Sequence, residues 1–228
     1  MDSLLVKELN PESLVLGKIE EKKVFFYYPF GEDFKKLIIS TPKFMIPFES
    51  MDEKTSREGK VFLKNLTIST NDHGSGKNLR DLERFRNKIA EIDKKVVSLL
   101  PEKMQSKSFY SSLYSKDEQY KPTMRVGIPM DYNENSKTNI YNNNNEIISE
   151  NEIRKGSIIS IGLQLEKLWI WGDKMGINWT ALQIKVYDNN QNDNNNQNDN
   201  NQNDNNKNDN ESLKSKMKTK IREDDDDA

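Results

Sequence analysis

The sequence contains no cysteine and only one histidine, His73, in 228 residues. Without cysteine there can be no disulfide, thiol nucleophile or thiolate zinc site, and the chain suits a reducing compartment. One imidazole leaves a zinc site to carboxylates, an uncommon donor set, and leaves histidine acid–base chemistry to His73 alone. No apolar stretch approaches the roughly 18 residues that a membrane span needs. The opening MDSLLVKEL places acids early and has a short apolar run, unlike a secretory signal. These absences lead to the expectation of a soluble, intracellular protein. Hydrophobic residues make up only 33% of the chain, because one end is almost free of them.

The composition breaks at Asp188. Residues 1–187 carry regular apolar runs, enough for one domain with one core. Residues 189–210 are almost entirely Asn, Gln and Asp in a near-repeat. Such a segment buries no apolar area to offset its ordering entropy, so residues 188–228 are expected to be a disordered tail. Interspersed aspartates oppose the aggregation that Asn/Gln tracts invite. The tail ends in a basic stretch, 214–222, followed by Glu223, Asp224, Asp225, Asp226 and Asp227. From Asp188 onward there are 6 basic and 11 acidic residues, a net −5, against 29 and 26 in the body, a net +3. A body at +3 is no evidence for nucleic acid, but its opposition in sign to the tail is suggestive.

Within the body, apolar and aromatic residues at 24–28 form a run closed by Pro29. Residues 37–40 read as a short strand meeting a bend at Thr41-Pro42, and 44–48 as a second short piece with Pro47 at an edge. Residues 61–70, rich in β-branched and aromatic side chains, read as a strand. The period then changes. Leu82, Phe85, Ile89, Ile92, Val96 and Leu99 share one face of a helix over about 79–100, with Asn78 as N-cap and Pro101 as the stop. Residues 102–121 read as a loop with scattered aromatics, among them Tyr110, Tyr114 and Tyr120. Residues 123–130 alternate as a half-buried strand, with Met124, Val126 and Ile128 opposite Arg125 and Gly127. Residues 133–151 are Asn-rich and polar, with 147–149 a candidate short strand.

Residues 157–187 read as a long hairpin turning at Gly172-Asp173-Lys174. Ile159, Ile161, Leu163 and Leu165 alternate with small or polar residues, and Trp169 and Trp171 continue that parity. On the return strand Leu182, Ile184 and Val186 share one face, while Trp179, Gln183, Lys185 and Tyr187 share the other. Several short strands with one inserted helix indicate a mainly β protein, a small barrel decorated by a helix.

Catalytic motifs are weak. His73-Gly74-Ser75-Gly76-Lys77 approaches a phosphate-binding loop but has Asn71 where that loop needs its first glycine and Asn78 where it needs Ser or Thr. It reads as a glycine-rich loop entering the helix. Asp52-Glu53, Asp117-Glu118 and the pair Glu150 and Glu152 sit in polar loops rather than clustering as nuclease ligands would. Neither an enzyme nor a cofactor or metal site is expected. The tryptophans are more specific: all three fall between 169 and 179, flanked by Lys167 and Lys174. Aromatic rings beside lysines on an exposed strand face supply base stacking and phosphate neutralisation.

Residues 154–187 (RKGSIISIGLQLEKLWIWGDKMGINWTALQIKVY) resemble the last hairpin of the single-stranded DNA-binding proteins of large nucleocytoplasmic DNA viruses, which are themselves similar to the T-odd phage single-stranded DNA-binding protein. The matching features are Gly156-Ser157, the Trp169 and Trp171 pair, Gly176 and Leu182-Gln183. Upstream, LIISTPKFMIPF at 37–48 resembles that family's Thr-Pro-Lys segment, and the acidic terminus matches too. The tail departs from the phage pattern: it is shorter in acids and ends in Ala228 rather than an aromatic residue. The resemblance implies an OB-fold-like barrel with one inserted long helix. It also implies non-sequence-specific single-strand binding, roles in viral DNA replication, recombination and repair in the host cytoplasm or at the viral replication site, and contacts of the acidic tail with polymerase and helicase–primase. A homodimer stays open.

The expected arrangement is a DNA-binding domain over 1–187 and a linker with basic stretch and acidic terminus over 188–228. Bases would stack on Trp169, Trp171 and Trp179, and phosphates would meet Lys43, Lys64, Arg125, Lys167, Lys174 and Lys185. The rival is a non-enzymatic structural or interaction β-domain whose tryptophans form a protein-binding patch. A flexible coil of roughly 35 residues spans about 30–35 Å, enough for residues 223–227 to reach back over a small barrel and compete with phosphate. Deleting residues 223–228 is therefore expected to tighten single-strand binding, most at low salt, where screening is weakest. Unchanged or weaker low-salt affinity in the truncated chain would leave only a solubility tail.

Overall fold

The structure is a computed structural model that describes residues 3–49, 51–71, 78–115, 117 and 122–187. The glycine-rich motif at 73–77, Glu118, Tyr120 and the tail from Asp188, with its five terminal acids, lie outside the described residues.

The chain opens with β1 (Leu4–Leu5) and two 3-10 turns at Val6–Glu8 and Pro11–Ser13. An antiparallel meander follows: β2 (Val15–Glu20), β3 (Lys23–Phe30) and β4 (Asp33–Lys35). Next come β5 (Ile38–Ser40), β6 (Phe44–Met45), β7 (Asp52–Thr55) and β8 (Val61–Ser69). The one long helix is α1 (Leu79–Leu99), followed by the one-turn α2 (Glu102–Gln105). After β9 (Ser108–Tyr110), β10 (Leu113–Tyr114), β11 (Thr123–Pro129) and β12 (Asn139–Tyr141), the described chain ends in the hairpin β13 (Ile158–Trp171) and β14 (Lys174–Tyr187). The protein is thus mainly β with one long helix.

β13 organises the sheet. One edge pairs with β14 along its length, and the other takes β6, β5 and β3 in succession. From β6 the pairings run to β8, then β11, then β14, so the path comes back to the hairpin. Gly172 opens the two-residue turn at φ +60°, the positive value such tight loops demand.

The inner face of these strands is the core, with Leu66, Ile68, Val126, Ile128, Ile161, Leu163, Leu165 and Ile184 buried. α1 packs Leu82, Phe85, Ile89, Ile92 and Val96 into the same cluster, and Phe44 meets Phe85 edge-on at 5.0 Å. Each such fully buried side chain contributes roughly 1.5–3 kcal/mol. The apolar spacing therefore located the helix, and Asn78 stands at its N-cap position, where its carbonyl accepts from Leu82 N at 3.0 Å but its side chain makes no capping bond. Its Nδ2 instead donates to the Lys43 carbonyl at 2.6 Å, tying the helix start to the segment between β5 and β6. Residues 102–121, expected as a loop, include α2, β9 and β10, because short elements leave too few residues to show a period. The Asn-rich stretch contributes β12, parallel to β14, and the candidate strand at 147–149 is reduced to a single bridge, Tyr141 to Ile147.

One polar residue interrupts the apolar face of α1. Asp93 is buried, and its carboxylate accepts from Ser112 Oγ at 2.6 Å, Ser112 N at 2.8 Å and Ser111 Oγ at 2.9 Å. It thereby pins the loop between β9 and β10 to the helix. Burial raises the Asp93 pKa above its ordinary 3.8, and the Ser112 and Ser111 bonds only partly offset this. Over the window between the two values the folded chain holds a proton that the unfolded chain has released. Asp93's contribution to stability is therefore full below about pH 3.8 and lost as pH rises through the raised value. Relative to Asp93→Asn, the native chain should lose stability as pH climbs from about 3.8 to the raised value and stay level above it. Paired thermal melts measure this, and a stability difference that is flat or grows with pH would contradict it.

Candidate nucleic-acid interface

A groove of about 1180 Å³ runs over the outer face of β8, β11, β13 and β14. Its position follows from strand parity. On β11 the residues opposite Met124, Val126 and Ile128 are Thr123, Arg125 and Gly127, all of which line the groove. On β8 the lining residues Leu63, Asn65 and Thr67 alternate with the core residues Leu66 and Ile68.

In the hairpin, parity is not continuous. The register of β13 against β14 shifts between Leu165 and Lys167, leaving Glu166 as an extra residue, and again where Gly162 pairs Gln183 and Leu163 pairs Ala181, leaving Leu182 extra on β14. Such bulges invert the alternation beyond them. Before the first, Leu163 and Leu165 face the core; after it Leu168 does, and Lys167, Trp169 and Trp171 turn outward. Trp169 lines the groove and Trp171 is 81% exposed. The two tryptophans share a face as expected, but not the face of the preceding core residues.

The bulge at Leu182 has the opposite effect on Trp179, which requires a correction. Trp179 pairs with Leu165, belongs to the core cluster and is only 3% exposed, so it is no free stacking surface. Its parity differs from Ile184 only in a regular strand; the extra residue puts both on the inner face. Its indole N–H donates to Ser112 Oγ at 2.8 Å, which in turn donates to Asp93. Trp179 borders the groove as a support for its wall.

Trp169 packs closely against Gly176. A Cβ built there would stand 2.8 Å from Trp169 Cζ2 and 3.0 Å from Cε2, so only glycine leaves room for the ring. Tyr110, brought alongside by the parallel pairing of β9 with β14, places its ring centroid 6.0 Å from that of Trp169. Lys174 stands 5.8 Å from the Tyr110 ring at the hairpin tip. Tyr110, Tyr114, Phe48 and Phe62 also line the groove, and each is about half exposed or more. Sequence reasoning missed these four as site residues. The one available signal was aromatic density in the polar stretch holding Tyr110 and Tyr114.

The cations divide into groups. Arg125 and Lys167 line the groove as expected, joined by Lys54 and Lys137, which were not foreseen. Glu166 is the one carboxylate in the lining, and Lys36 pairs with it at 2.8 Å. Arg125 pairs with Asp52 at 2.8 Å, but both side chains are 63% exposed, so the pair is weak and phosphate can compete for it. Lys64 is a second correction. It lies on the opposite face of β8, bonded to Glu150 at 3.0 Å and near Glu53 at 3.5 Å, with its side chain 15% exposed. Burial works to lower the Lys64 pKa and to raise that of Glu150, but in each the mutual ion pair prevails, raising Lys64 and lowering Glu150. Both stay charged and committed to each other. Lys43 and Lys185 gather around the Tyr187 ring, at 4.2 and 5.4 Å, at the end of the hairpin away from Trp171. Fourteen-residue strands place that end about 40 Å from the tip. The predicted cations therefore do not form one patch.

Among the described residues no cluster of three or more metal-ligating side chains occurs, and no helix is long and apolar enough to cross a membrane.

No protein-family model and no curated protein sequence matches this chain. Among solved structures it is similar to gp2.5, a single-stranded DNA-binding protein encoded by bacteriophage T7, with a TM-score of 0.46, 10% identity, and coverage of 67% of this chain and 87% of that one. It is also similar to the single-stranded DNA-binding protein of bacteriophage Enc34 in complex with single-stranded DNA, with a TM-score of 0.42, 12% identity, and coverage of 77% and 95%. These are phage proteins, and they lend nothing to an origin in a large nucleocytoplasmic DNA virus.

The Gly176 seat is directly testable. In a Trp171→Phe background Trp169 is the remaining accessible indole, since Trp179 is buried. Adding Gly176→Val should lift the Trp169 ring and increase its quenching by acrylamide. Unchanged quenching would mean that the ring does not depend on the glycine.

Proposed function

We propose that this protein binds single-stranded DNA without sequence specificity in the groove of β8, β11, β13 and β14, as an accessory to viral DNA replication. The observation that carries this reading is the groove's lining: half-exposed aromatic rings interleaved with four cations and a single neutralised carboxylate, on one strand surface. Single strands offer that combination two partners at once, unstacked base faces for the rings and phosphates for the cations. Every base has a π-face, so stacking tolerates any sequence. A duplex hides those faces. The groove is lined largely by strands rather than loops, so its rings are held in place before a ligand arrives.

The ring of pairings from β13 through β6, β8 and β11 to β14, with α1 between β8 and β11, supports an OB-type barrel as the scaffold. Trp169 and Trp171 are the proposed stacking platform, with Tyr110, Arg125, Lys167 and Lys174 around it. Lys43 and Lys185 would meet phosphates only on a longer strand running the length of the hairpin. Roles in recombination and repair, and recruitment of polymerase or helicase–primase by residues 223–227, belong to the same proposal.

Titrating intrinsic tryptophan fluorescence with poly-dT at two salt concentrations tests the reading. Affinity should fall steeply with salt, with a log–log slope of about −0.7 per phosphate contact. Trp169→Ala or Trp171→Ala should each weaken binding by about 1–3 kcal/mol. Thermal stability should change little for the exposed Trp171. Salt-independent behaviour would favour a protein-docking patch, and equal affinity for duplex of the same length would indicate a general polyanion binder.

A further inference from the structure

Past one end of the groove stands an aromatic residue that its lining does not include. The groove lining takes in Phe62 near the start of β8 and Pro129 at the end of β11, with Lys137 close by. Two residues before Phe62 is Lys60, and three after Pro129 is Tyr132. Tyr132 is 76% exposed, and Lys60 Nζ stands 3.4 Å from its ring centroid. With the ammonium over one face and that much of the residue in solvent, the other face of the ring is open.

The two residues are held out rather than left loose. Lys60 ends a tight turn in which the Ser56 hydroxyl accepts from the backbone N–H of Glu58 and of Lys60, each at 3.3 Å. Tyr132 lies in a turn closed by the Asp131 carboxylate, which accepts from Asn133 N at 2.8 Å and Asn135 N at 2.9 Å. The turns are clamped together: Val61 N donates to Glu134 Oε1 at 2.6 Å, and Met130 N to the Phe62 carbonyl at 3.0 Å. Glu134 holds φ at +62°, a left-handed value that a non-glycine residue adopts only when its surroundings impose it. The carboxylates of Asp131 and Glu134 thus accept from backbone amides, and Glu134 and Glu58 are both exposed.

From this geometry we infer a second stacking subsite at Tyr132 and Lys60, taking one further base and its phosphate from a strand already lying in the groove. The inference rests on the single-strand reading above and adds a position and a minimum length to it. A strand long enough to leave the groove past Phe62 meets the open Tyr132 face, with Lys60 over that ring and Lys137 in the groove lining as cations for its phosphates. A short oligonucleotide confined to the groove meets neither Tyr132 nor Lys60.

The test is an affinity series on the full chain with oligo-dT from about 4 to 20 nucleotides, which covers the site sizes of roughly 4–16 nucleotides for such folds. Wild type, Tyr132→Ala and Tyr132→Phe are compared. Tyr132→Ala should match wild type on the shortest oligonucleotides that bind and lose at least about fivefold on longer ones, the lower limit for one lost stack. Tyr132→Phe, which keeps the ring, should follow wild type throughout. If wild type binds and Tyr132→Ala equals it at every length, the subsite is overturned while the groove reading stands. A loss equal at all lengths overturns it too, because Tyr132 then acts within the primary site or on the fold. Absence of wild-type binding at any length overturns the groove reading itself, and the wild-type curve alone shows that.

Discussion

Two β-bulges in the hairpin decide which of its side chains build the core and which meet solvent. β13 and β14 are each 14 residues long, and a regular ladder of that length would keep one parity from end to end. The extra residue at Glu166 turns Lys167, Trp169 and Trp171 outward, and the extra residue at Leu182 lets Trp179 share the inner face with Ile184. One strand pair therefore closes the hydrophobic interior along part of its length and offers a stacking surface along the rest. The pairings of β6, β5, β3 and β11 are all made to this hairpin, so the rest of the sheet inherits the division.

The inward tryptophan ties the groove wall to the helix. Trp179 is bonded to Ser112, and Ser112 to Asp93 on α1, so a line of hydrogen bonds runs from the helix through the loop between β9 and β10 to the groove wall. That loop separates the two strands that carry Tyr110 and Tyr114. A buried carboxylate held by two hydroxyls and a backbone N–H is an expensive way to hold a loop. It has a geometric advantage: a carboxylate accepts several donors at once, and here it gathers a backbone N–H and two hydroxyls at a single point.

Electrostatics sort the lysines by neighbourhood rather than by number. Lys64 and Glu150 neutralise each other on the far face of β8, whereas Lys54, Arg125, Lys137 and Lys167 line the groove with one carboxylate, itself paired to Lys36. A net body charge of +3 is thus a poor guide. What matters for phosphate is that the groove's one lining carboxylate is already engaged and that Arg125 is held only by an exposed pair with Asp52.

Local chemistry in the sequence was sufficient for α1, for the alternation of β11 and for the turn at Gly172, because each depends on spacing or backbone preference within a few residues. It was also sufficient to mark the region around Trp169 and Trp171 as the place to look, since aromatic rings beside lysines in a polar chain are unusual. The sequence could not show the two bulges, because an extra residue in a strand changes the pairing partner and not the composition. The face of Trp179 was misread for that reason. Nor could it show that Lys64 meets Glu150 across 86 positions, or that Tyr110 is carried to Trp169 by β9 lying parallel to β14. Those contacts join residues distant in the chain, and only the closing of the sheet, with its particular register, brings them within a few ångströms of each other.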